Sequence, residues 1–539
     1  MFTNLMKRTA MLAVVLVAAV VVMAGCAKKY EALDTGVSGE ITYVSWSGDG
    51  SPTMFDIGHQ ELTADDLPNQ VYAALYATAK EFNKIYPNVK INVWAREGNA
   101  GEDWRQELEN FKAEHGSYPD IYKAMDLAGD LASGLVADLS VFKEDPQFKK
   151  LNQKYVEQMN FYGFQAGLPD YIFPYGIFIN KELAEQNNID VPGPDWTIDE
   201  YTAFVASADN KTFWGDMDTP SDFIDLGTLE LNYKMATYSG KGDHVSLDSD
   251  AIKDLLSYIP RWAKTAVRPQ NESGKMPEGV MNEYWWWGHK FFIENKLLVN
   301  SGDPWMIGDA ASIVENNDLR VKSGDWDFYP APTTKYNTQT TNIVVDPIGF
   351  HNYAMDDGNP EWSEEEKAKL QLAYTFAMFM ISDDAAWKAR SEQQFFDGTA
   401  YRSAINDSLP VVTGEDFTRQ MEYWYASDSH IALKDAARFP GFHRLMEIYS
   451  KGEITAINTK AYPYRVEENG TMIEAWEEWW YLGDPETVGA MRTDANWLDL
   501  IKAKLPDWNT KFNARFQQAD QDLRNGLTRW YGFTEKDFK

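Results

Sequence analysis

The chain contains little cysteine and little histidine. Cys26 is the only cysteine among 539 residues, so the chain forms no internal disulfide and has no cysteine nucleophile in its later sequence. The seven histidines are scattered and show no metal-ligand spacing. The motifs Gly-x-Ser-x-Gly, His-Glu-x-x-His and the Gly-rich phosphate loop are also absent. We therefore expect no catalytic residue, no metal and no cofactor.

Positive charge is scarce as well. The chain has 82 Asp and Glu but only 50 Lys and Arg, which gives a formal net charge of −32. Such a balance argues against nucleic acid as a partner and against binding to anionic membrane surfaces. Asp209, Asp216, Asp218 and Asp222 lie close together but do not have the calcium-loop spacing, so we interpret them as a solvated loop.

Long apolar runs are confined to the N-terminus. Residues 10–24 are uninterruptedly apolar and follow Lys7 and Arg8, which matches a signal-peptide core and is short for a membrane-spanning helix. The run ends in small residues before Cys26, as a lipoprotein signal peptidase requires. We expect a signal peptide over 1–25, a lipid on Cys26 and a tether over 26–37. An uncleaved anchor helix and plain secretion are the alternatives.

Strand and helix patterns alternate along the first part of the chain. The hydrophobic spacing predicts strands at 40–47, 89–94 and 120–122, and helices at 71–86, 104–115 and 127–135. Residues 48–70 are predicted to be an irregular insertion. This alternation predicts an α/β fold with a largely parallel sheet.

A second unit begins near residue 167. It shows a strand at 174–180 and a helix from Lys181, and Thr197 with Glu200 forms a helix-capping pattern. The segment from 214 to 305 is mostly helical and rich in aromatic residues, and the most apolar later run, 370–381, is predicted to be a buried helix. The stretch from about 461 to 539 is predicted to be helical and charged, without an assigned role.

Eight phrases occur in an order that resembles bacterial extracellular solute-binding proteins of sugar ABC importers. The most specific is GLPDYIFPYGIFINKELAEQNNIDVPGPDWTIDEYTAF, and LLVNSGDPWMIGD resembles the family's Gly-Pro-Trp turn with Asp303 inserted before the proline. The others are ITYVSWS, AKEFNKIYPNVKINV, YPDIYKAMDLAGDLASGLVADLS, WDFYPAPTT, AYTFAMFMISDDAAWKA and FPGFHRLMEIYSKGEIT. Together they cover about residues 40–455, and the chain departs from the family at 48–70 and at its long C-terminal stretch.

The resemblance implies a periplasmic-binding-protein-like fold of two discontinuous α/β lobes joined by a hinge. The first lobe would comprise 38–165 plus 335–395, and the second 166–334 plus 396–539. It also implies reversible, non-catalytic binding of a carbohydrate between the lobes, and we expect this carbohydrate to be an oligosaccharide. The partners would be the permease subunits of an ABC importer, and the protein would be a monomer held outside the cytoplasm by its lipid.

Candidate ligand contacts lie in loops at the ends of predicted strands. A sugar needs aromatic rings for its C–H faces and fixed polar groups for its hydroxyls, because an unpaired buried hydroxyl is costly. The chain has 20 Trp, 28 Tyr and 28 Phe, more than enough to supply such rings in addition to a core. The candidates are Trp46, Asp49, Asp126, Asp170, Tyr171, Tyr175, Trp214, Trp286, Trp305 and Phe439.

Several candidates have a purely structural alternative. Trp46 could face the core, Asp49 could be a turn residue, and Asp126 could be the N-cap of the following helix. Tyr171 and Tyr175 could pack between the lobes. Trp286 is chosen from three consecutive tryptophans, which cannot all face one side of a helix.

Two other functions remain open at this stage. A secreted glycoside hydrolase would also be acidic and rich in tryptophan, but its paired carboxylates cannot be identified among 82 acidic residues. A sensor partner or adhesion module could use the same fold, because a fold does not determine a function. Neighbouring genes for permeases or for a two-component sensor would separate transport from sensing.

Overall fold

The structure is a computed structural model. It describes residues 30–45, 53–95, 104–216, 245–262, 264–265, 292, 295–302, 307, 326–335, 343–357, 362–398, 400–427, 430–453, 465–475 and 495–538.

The strands of these residues are short, and most of them belong to two sheets. In chain order they are β1 (Ser38–Ser45), β2 (Asn88–Ala95), β3 (Ile121–Lys123), β4 (Asn160–Phe161), β5 (Phe164–Gln165), β6 (Gly167–Pro174), β7 (Gly176–Asn180), β8 (Val299–Gly302), β9 (Trp326–Tyr329), β10 (Ile343–Phe350), β11 (Gln394–Phe396), β12 (Tyr401–Ser403), β13 (Arg465–Glu468) and β14 (Thr471–Glu474).

The helices range from single turns to one rod of 35 residues. In chain order they are α1 (Gln70–Ile85), α2 (Trp104–His115), α3 (Leu127–Ala132), α4 (Pro146–Lys150), α5 (Gln153–Val156), α6 (Lys181–Gln186), α7 (Ile198–Ala206), α8 (Asp250–Leu256), α9 (Ile259–Trp262), α10 (Ala354–Asp357), α11 (Glu364–Ser382), α12 (Asp384–Glu392), α13 (Gly414–Ala426), α14 (Pro440–Ser450) and α15 (Trp497–Tyr531).

The first sheet has the strand order β2-β1-β3-β10-β6. Strands β2, β1 and β3 are parallel, whereas β10 is antiparallel to both β3 and β6. Helices α1 and α11 pack on this sheet and supply Phe82, Phe376 and Phe379, whose rings meet edge to face. The predicted α/β fold is confirmed, and the predicted strands and helices of this region correspond to β1, β2, β3, α1, α2 and α3.

The second sheet has the order β8-β7-β9 and is antiparallel throughout. The prediction of largely parallel pairing concerned the first part of the chain, where β1, β2 and β3 are parallel. In the second sheet β8 and β9 return from distant segments instead of following β7 through a crossover helix, so both run antiparallel to β7. All five residues of β7 are buried, as expected for a central strand covered on both faces. Helix α7 beside this sheet begins with the predicted capping box of Thr197 and Glu200.

Two crossing strands join the lobes. Strand β6 leaves the first sheet at Pro174 and continues through Tyr175 into β7, while β10 pairs with β6 from Ile343 to Gly349. The buried apolar residues form two clusters, one around the first sheet and one around β7 and α7. The architecture is thus α/β with two discontinuous lobes and a hinge.

The segment between residues 404 and 449 packs with the first cluster. It also contacts the second sheet through α14, because Asp327 of β9 accepts hydrogen bonds from the backbone N–H groups of Gly441 (2.9 Å) and Phe442 (3.1 Å). A buried carboxylate that accepts hydrogen bonds from two backbone N–H groups in the first turn of a helix fixes the position of that helix. The lobe division at residue 396 stays a prediction.

Helix α15 extends between the two clusters. Its first half buries Trp497, Ile501 and Phe512 in the second cluster, and its second half buries Leu523 and Leu527 in the first. At 1.5 Å per residue the helix is roughly 50 Å long, which is enough to reach from one lobe to the other. The C-terminal stretch therefore connects both lobes.

A hairpin precedes α15, where the sequence pattern suggested helix. Strands β13 and β14 pair from Arg465↔Glu474 to Glu468↔Thr471, so the helical prediction is wrong for this segment. Asn469 and Gly470 form the turn with φ values of 54° and 80°. An Asn-Gly pair is the preferred turn of a two-residue hairpin, and this local signal outweighs the surrounding charge pattern.

Candidate functional site

The carboxyl ends of the first-lobe strands face the second lobe. Because β10 is antiparallel to both β3 and β6, strand β6 runs in the same direction as β1, β2 and β3. Strand β6 leaves toward the second lobe at its own carboxyl end. The carboxyl ends of β1, β2 and β3 consequently lie on the edge of the sheet that adjoins the second lobe.

In the second sheet, the carboxyl ends of β8 and β9 lie at the same boundary between the lobes. Strands β8 and β9 are antiparallel to β7, and their last residues pair with its first ones, Gly302 with Gly176 and Tyr329 with Ile177. The carboxyl ends of β8 and β9 therefore lie where β7 enters from the first lobe. Ligands of open α/β sheets bind outside the carboxyl ends of strands, so this boundary is the candidate site.

Five sequence-predicted residues lie outside the described residues: Cys26, Trp46, Asp49, Trp286 and Trp305. In the sequence, Trp46 comes directly after β1, and Trp305 follows the last residue of β8 by three positions. Their roles remain predictions.

Asp126 follows β3 and caps helix α3. Its carboxylate accepts a hydrogen bond from the backbone N–H of Gly129 at 3.0 Å, which is the structural alternative considered above. It also lies 4.0 Å from the guanidinium of Arg105 and lines a cavity beside that arginine. Asp126 thus caps the helix and also lines the cavity, and its role as a ligand contact stays a prediction.

Asp170 occupies a bulge in the crossing strand β6. Strand β10 pairs Asp346 with Tyr171 and the next residue, Pro347, with Pro169, so Asp170 has no partner residue opposite it. Its carboxylate instead forms an ion pair with Lys123 at 2.8 Å, and both side chains are mostly buried. Asp170 also favours the charged form of buried Arg390, whose pKa burial lowers to about 10. Lys123 and Arg390 therefore compensate the negative charge of Asp170.

Tyr171 is held by a hydrogen bond as well. Its hydroxyl donates to Asp407 at 2.9 Å, and burial, reinforced by Asp407, raises the pKa of Tyr171 well above its usual range. Tyr175 is half-buried at the junction of β6 and β7. Trp214 is also half-buried, and its backbone N–H donates to the carbonyl of Lys296 at 2.9 Å. Tyr171 lies within the crossing strand β6, and Tyr175 lies between β6 and β7.

Phe439 differs from the other candidates because its side chain has no exposed surface. Its ring packs edge to face against Trp326, with 5.1 Å between the ring centroids, directly before helix α14. A ring enclosed in this way cannot stack on a ligand in this conformation. The structure thus places Phe439 in the core.

A cavity of about 290 Å³ lies between α2, α3, the β13–β14 hairpin and α15. We call it the arginine pocket, because Arg105, Arg465 and Arg529 line it together with Asp126, Asp522 and Trp530. It adjoins the carboxyl end of β3, and its far wall is the C-terminal stretch. The sequence interpretation missed the three arginines, and the only local signal for them was the Arg529-Trp530 pair in an acidic chain.

A second cavity, of about 320 Å³, lies in the second lobe after β9. Residues 333–335 form one wall, and the start of α7 and the residues of α8 form the others. Lys335 binds Asp254 at 2.9 Å, and the guanidinium of Arg261 lies 4.6 Å from the ring centroid of Tyr258. The residues that line this cavity belong to the second lobe, and none of them lies in a strand of the second sheet.

Two further observations concern metals and membranes. Within the described ranges, no group of three or more His, Cys, Asp or Glu side chains is arranged to hold a metal ion. None of the helices described in the structure combines the length and apolarity needed to cross a membrane.

The fold is similar to that of solved sugar-binding proteins. The cyclic alpha-maltosyl-1,6-maltose binding protein from Arthrobacter globiformis has a TM-score of 0.55 at 15% identity, with 91% of this chain and 100% of that chain covered. The GacH receptor of Streptomyces glaucescens, solved unliganded and with acarbose, has a TM-score of 0.50 at 16% identity, with 90% and 99% covered.

A sugar transporter from Rhizobium etli in an open conformation has a TM-score of 0.50 at 14% identity, with 92% and 100% covered. No protein-family profile matches this sequence, and no curated protein matches it either. The expected two-lobed periplasmic-binding-protein-like fold is confirmed, and so is the resemblance to solute-binding proteins at the level of the fold.

Proposed function

We propose that this chain is the lipid-anchored solute-binding component of an ABC importer, and that it reversibly binds a carbohydrate between its lobes. One observation carries the proposal: the strand ends of both sheets meet at one boundary, across the two crossing strands β6 and β10. Solved proteins of the same fold are described as sugar binders. No catalytic role is proposed for any residue.

The physical logic of capture follows from two lobes on a hinge. A ligand that contacts both lobes stabilises the closed form over the open form by its differential affinity. The importer can then distinguish the two forms by the surface that they present. The bulge at Asp170 and the half-buried Tyr175 lie at the crossing, where a change of lobe angle would be absorbed.

A titration tests the proposal directly. We would follow the tryptophan fluorescence of the detergent-solubilised full-length protein against a panel of plant and microbial oligosaccharides, and analyse each mixture for products after overnight incubation. A saturable change with a midpoint on the order of micromolar and no product would support a binding protein. Cleavage of a panel member would favour a glycoside hydrolase, and no response to any sugar would contradict the proposal.

Replacing Trp305 by alanine is expected to weaken carbohydrate binding by more than about tenfold, because a stacking ring in a desolvated cleft contributes more than about 1.4 kcal/mol. The same titration measures the effect, and circular dichroism verifies that the variant is folded. The control is Tyr401→Ala in β12, an aromatic residue with an exposed side chain, which should leave the affinity unchanged. Unchanged affinity in Trp305→Ala would remove Trp305 from the site.

Replacing Cys26 by serine is expected to release the protein from membranes, because serine offers no thiol for lipid attachment. Fractionation of cells into membrane and soluble material measures the effect, with the wild-type protein as reference. The control is Ser38→Ala in the first strand, which should leave the distribution unchanged. Retention of Cys26→Ser in the membrane fraction would instead indicate an uncleaved anchor helix.

A further inference from the structure

Helix α15 packs on both lobes with one uninterrupted buried face. Phe512 and Phe516 belong to the second core cluster, and Leu523 and Leu527 belong to the first. Ala519, between these two pairs, is buried as well. At 1.5 Å per residue, the distance along the helix from Phe516 to Leu523 is roughly 10 Å. The two lobes therefore hold α15 within about two turns of one another.

Asparagine side chains bind α15 to the second lobe. The side chain of Asn513 accepts a hydrogen bond from the backbone N–H of Val245 at 2.9 Å and donates one to the carbonyl of the same residue at 3.0 Å. Asn509, one turn earlier, accepts a hydrogen bond from the N–H of Leu247 at 2.9 Å. Sliding of the helix would break these bonds and leave buried polar groups unpaired, which is costly.

Tyrosine hydroxyls bind the other half of α15 to the first lobe. The hydroxyl of Tyr162, in the turn between β4 and β5, donates to Asp520 at 2.6 Å and accepts from the guanidinium of Arg524 at 3.1 Å. The hydroxyl of Tyr531 donates to the backbone carbonyl of Val136 at 2.6 Å. The helix is thus hydrogen-bonded to both lobes, in addition to its apolar contacts.

The backbone of Tyr162 is adapted to this contact. Its φ of 56° lies in the left-handed region, which is unfavourable for a residue with a Cβ atom. Such conformations persist where the surroundings determine them, and here Asp520 and Arg524 hold the side chain of Tyr162. The β4–β5 turn is therefore shaped by its contact with α15.

The part of α15 between the two lobes has no position for a kink. Residues 512–525 contain neither proline nor glycine, because Pro506 lies earlier in the helix and Gly526 lies later. Sharp bends of helices occur almost only at such residues or at local insertions. An ion pair of Asp520 with Arg524 at 3.0 Å supports the helix four residues apart. The segment that crosses the boundary is consequently stiff.

We propose that α15 is a strut that holds the two lobes at one angle, so that the hinge at β6 and β10 moves only as far as α15 bends. The crossing strands alone would leave the lobes free to rotate, and a second, stiff connection removes most of this freedom. The inference goes beyond the proposed function, because it concerns the motion of the lobes and requires no ligand. The width of the cleft is then set before a ligand arrives, which lowers the cost of ordering the cleft on binding.

The distance between the lobes in the ligand-free protein tests the strut. Spin labels are attached to Lys84→Cys on α1 and Glu185→Cys on α6, two exposed positions on different lobes. The detergent-solubilised full-length protein also carries Cys26→Ser, so that only the two introduced cysteines react. Double electron–electron resonance is expected to give one narrow distance distribution. A broad or two-peaked distribution would overturn the inference.

A flexible point in the helix shows whether α15 causes the narrow distribution. Gln517→Gly with Gln518→Gly changes two exposed residues between the contacts of the two lobes, and the distribution is expected to become at least twice as wide. The matched control is Ala503→Gly with Thr510→Gly, two exposed residues in the half of α15 that packs on the second lobe, and it should leave the width unchanged. Circular dichroism shows whether each variant is folded.

Tyr162→Gly provides a second variant with an intact helix. Glycine accepts the left-handed backbone without strain but removes the hydrogen bonds to Asp520 and Arg524, so the distribution should again become wider. If the Gln517 and Gln518 double variant is folded and keeps the width of the unsubstituted protein, the inference is overturned, because the crossing strands would then set the angle. If that variant does not fold, an unchanged width in Tyr162→Gly overturns it. Failure of every sugar to bind would contradict the proposed function and leave the strut standing.

Discussion

Replacing Gly526 by leucine is expected to lower the free energy of unfolding by about 2–3 kcal/mol, the usual cost of forcing extra atoms into a packed interface. Gly526 is buried near the C-terminal end of α15, where the helix meets the end of α3. A Cβ atom at this position would come within 2.3 Å of the carbonyl oxygen of Ala132 and 2.5 Å of its Cα. The neighbouring atoms are backbone, so they cannot move aside as a flexible side chain would.

Two effects of the Gly526→Leu substitution oppose each other. Leucine is the better helix former by about 0.8 kcal/mol, which would stabilise α15 if the position were open. The clash separates α15 from α3 and withdraws Leu523 and Leu527 from the first core cluster. The loss exceeds the gain because two buried leucines contribute several times the propensity difference.

Urea denaturation followed by circular dichroism measures this effect. Thr528→Leu is the matched control, since Thr528 is exposed two residues further along the same helix and should change stability by less than about 0.5 kcal/mol. Hydrogen exchange at the end of α15 would show local release in Gly526→Leu. Equal stability of Gly526→Leu and the wild type would contradict the close packing of α15 on α3.

The second large effect is the loss of folding stability at acidic pH that His430 causes. This histidine is buried and stacks on Trp424 with 3.8 Å between ring centroids and 3° between ring planes. Among the described residues neither ring nitrogen has a hydrogen-bond partner of ordinary geometry, and a contact with the backbone of Trp424 opposes the effect of burial only in part. Burial lowers the pKa of His430 to about 3, because the charged imidazolium would be desolvated.

The direction of the pH effect follows from linkage. In the unfolded chain a histidine has a pKa of about 6.5, so below that pH the unfolded state binds a proton that the folded state refuses. The contribution of His430 to stability is complete above about pH 6.5 and decreases as the pH falls toward about 3. At pH 5 the loss is about 2 kcal/mol.

Asp130 acts in the opposite direction. Its pKa is raised to about 7 in the folded protein, so the folded state binds a proton that the unfolded chain, with an aspartate pKa near 3.9, does not bind at pH 5. Protonation of Asp130 therefore stabilises the fold as the pH falls. The pH dependence of the wild type is the sum of these effects and does not isolate His430.

A comparison with His430→Phe isolates the contribution of the histidine. Phenylalanine retains the stacked ring on Trp424 and cannot take up a proton. The decrease in unfolding free energy between pH 7 and pH 5 is expected to be about 2 kcal/mol smaller in His430→Phe than in the wild type, whereas Asp130 contributes equally to both. If the unfolding free energies of the two proteins changed with pH in the same way, His430 would not be buried in the folded protein.

Local sequence signals predicted the parts of the fold that depend on neighbouring residues. The capping box of Thr197 and Glu200 is present, and helix α2 has the predicted bounds, because both depend on residues within one or two turns. Asp126 as an N-cap was an alternative of the same local kind. The Asn469-Gly470 turn was also a local signal, but the prediction followed the helical pattern of the surrounding charged stretch and therefore missed the hairpin.

Long-range pairing was not predictable in the same way. The bulge that aims Asp170 at Lys123 exists because β10, more than 170 residues later, skips that residue. The burial of Phe439 depends on Trp326 of the second sheet. In both cases the residue type was compatible with ligand binding, and a distant segment decided its environment.

The sequence by itself determined the α/β class and the helix caps, because periodicity and capping act over a few residues, whereas the two lobes were implied by the family resemblance. Only the tertiary structure decided that α15 connects the two lobes and that Arg105, Arg465 and Arg529 share one cavity. Arg105 is 360 residues from Arg465, which is itself 64 residues from Arg529, and no local preference draws the three together. Their convergence follows from the packing of α15 on α3, which requires the bare backbone of Gly526.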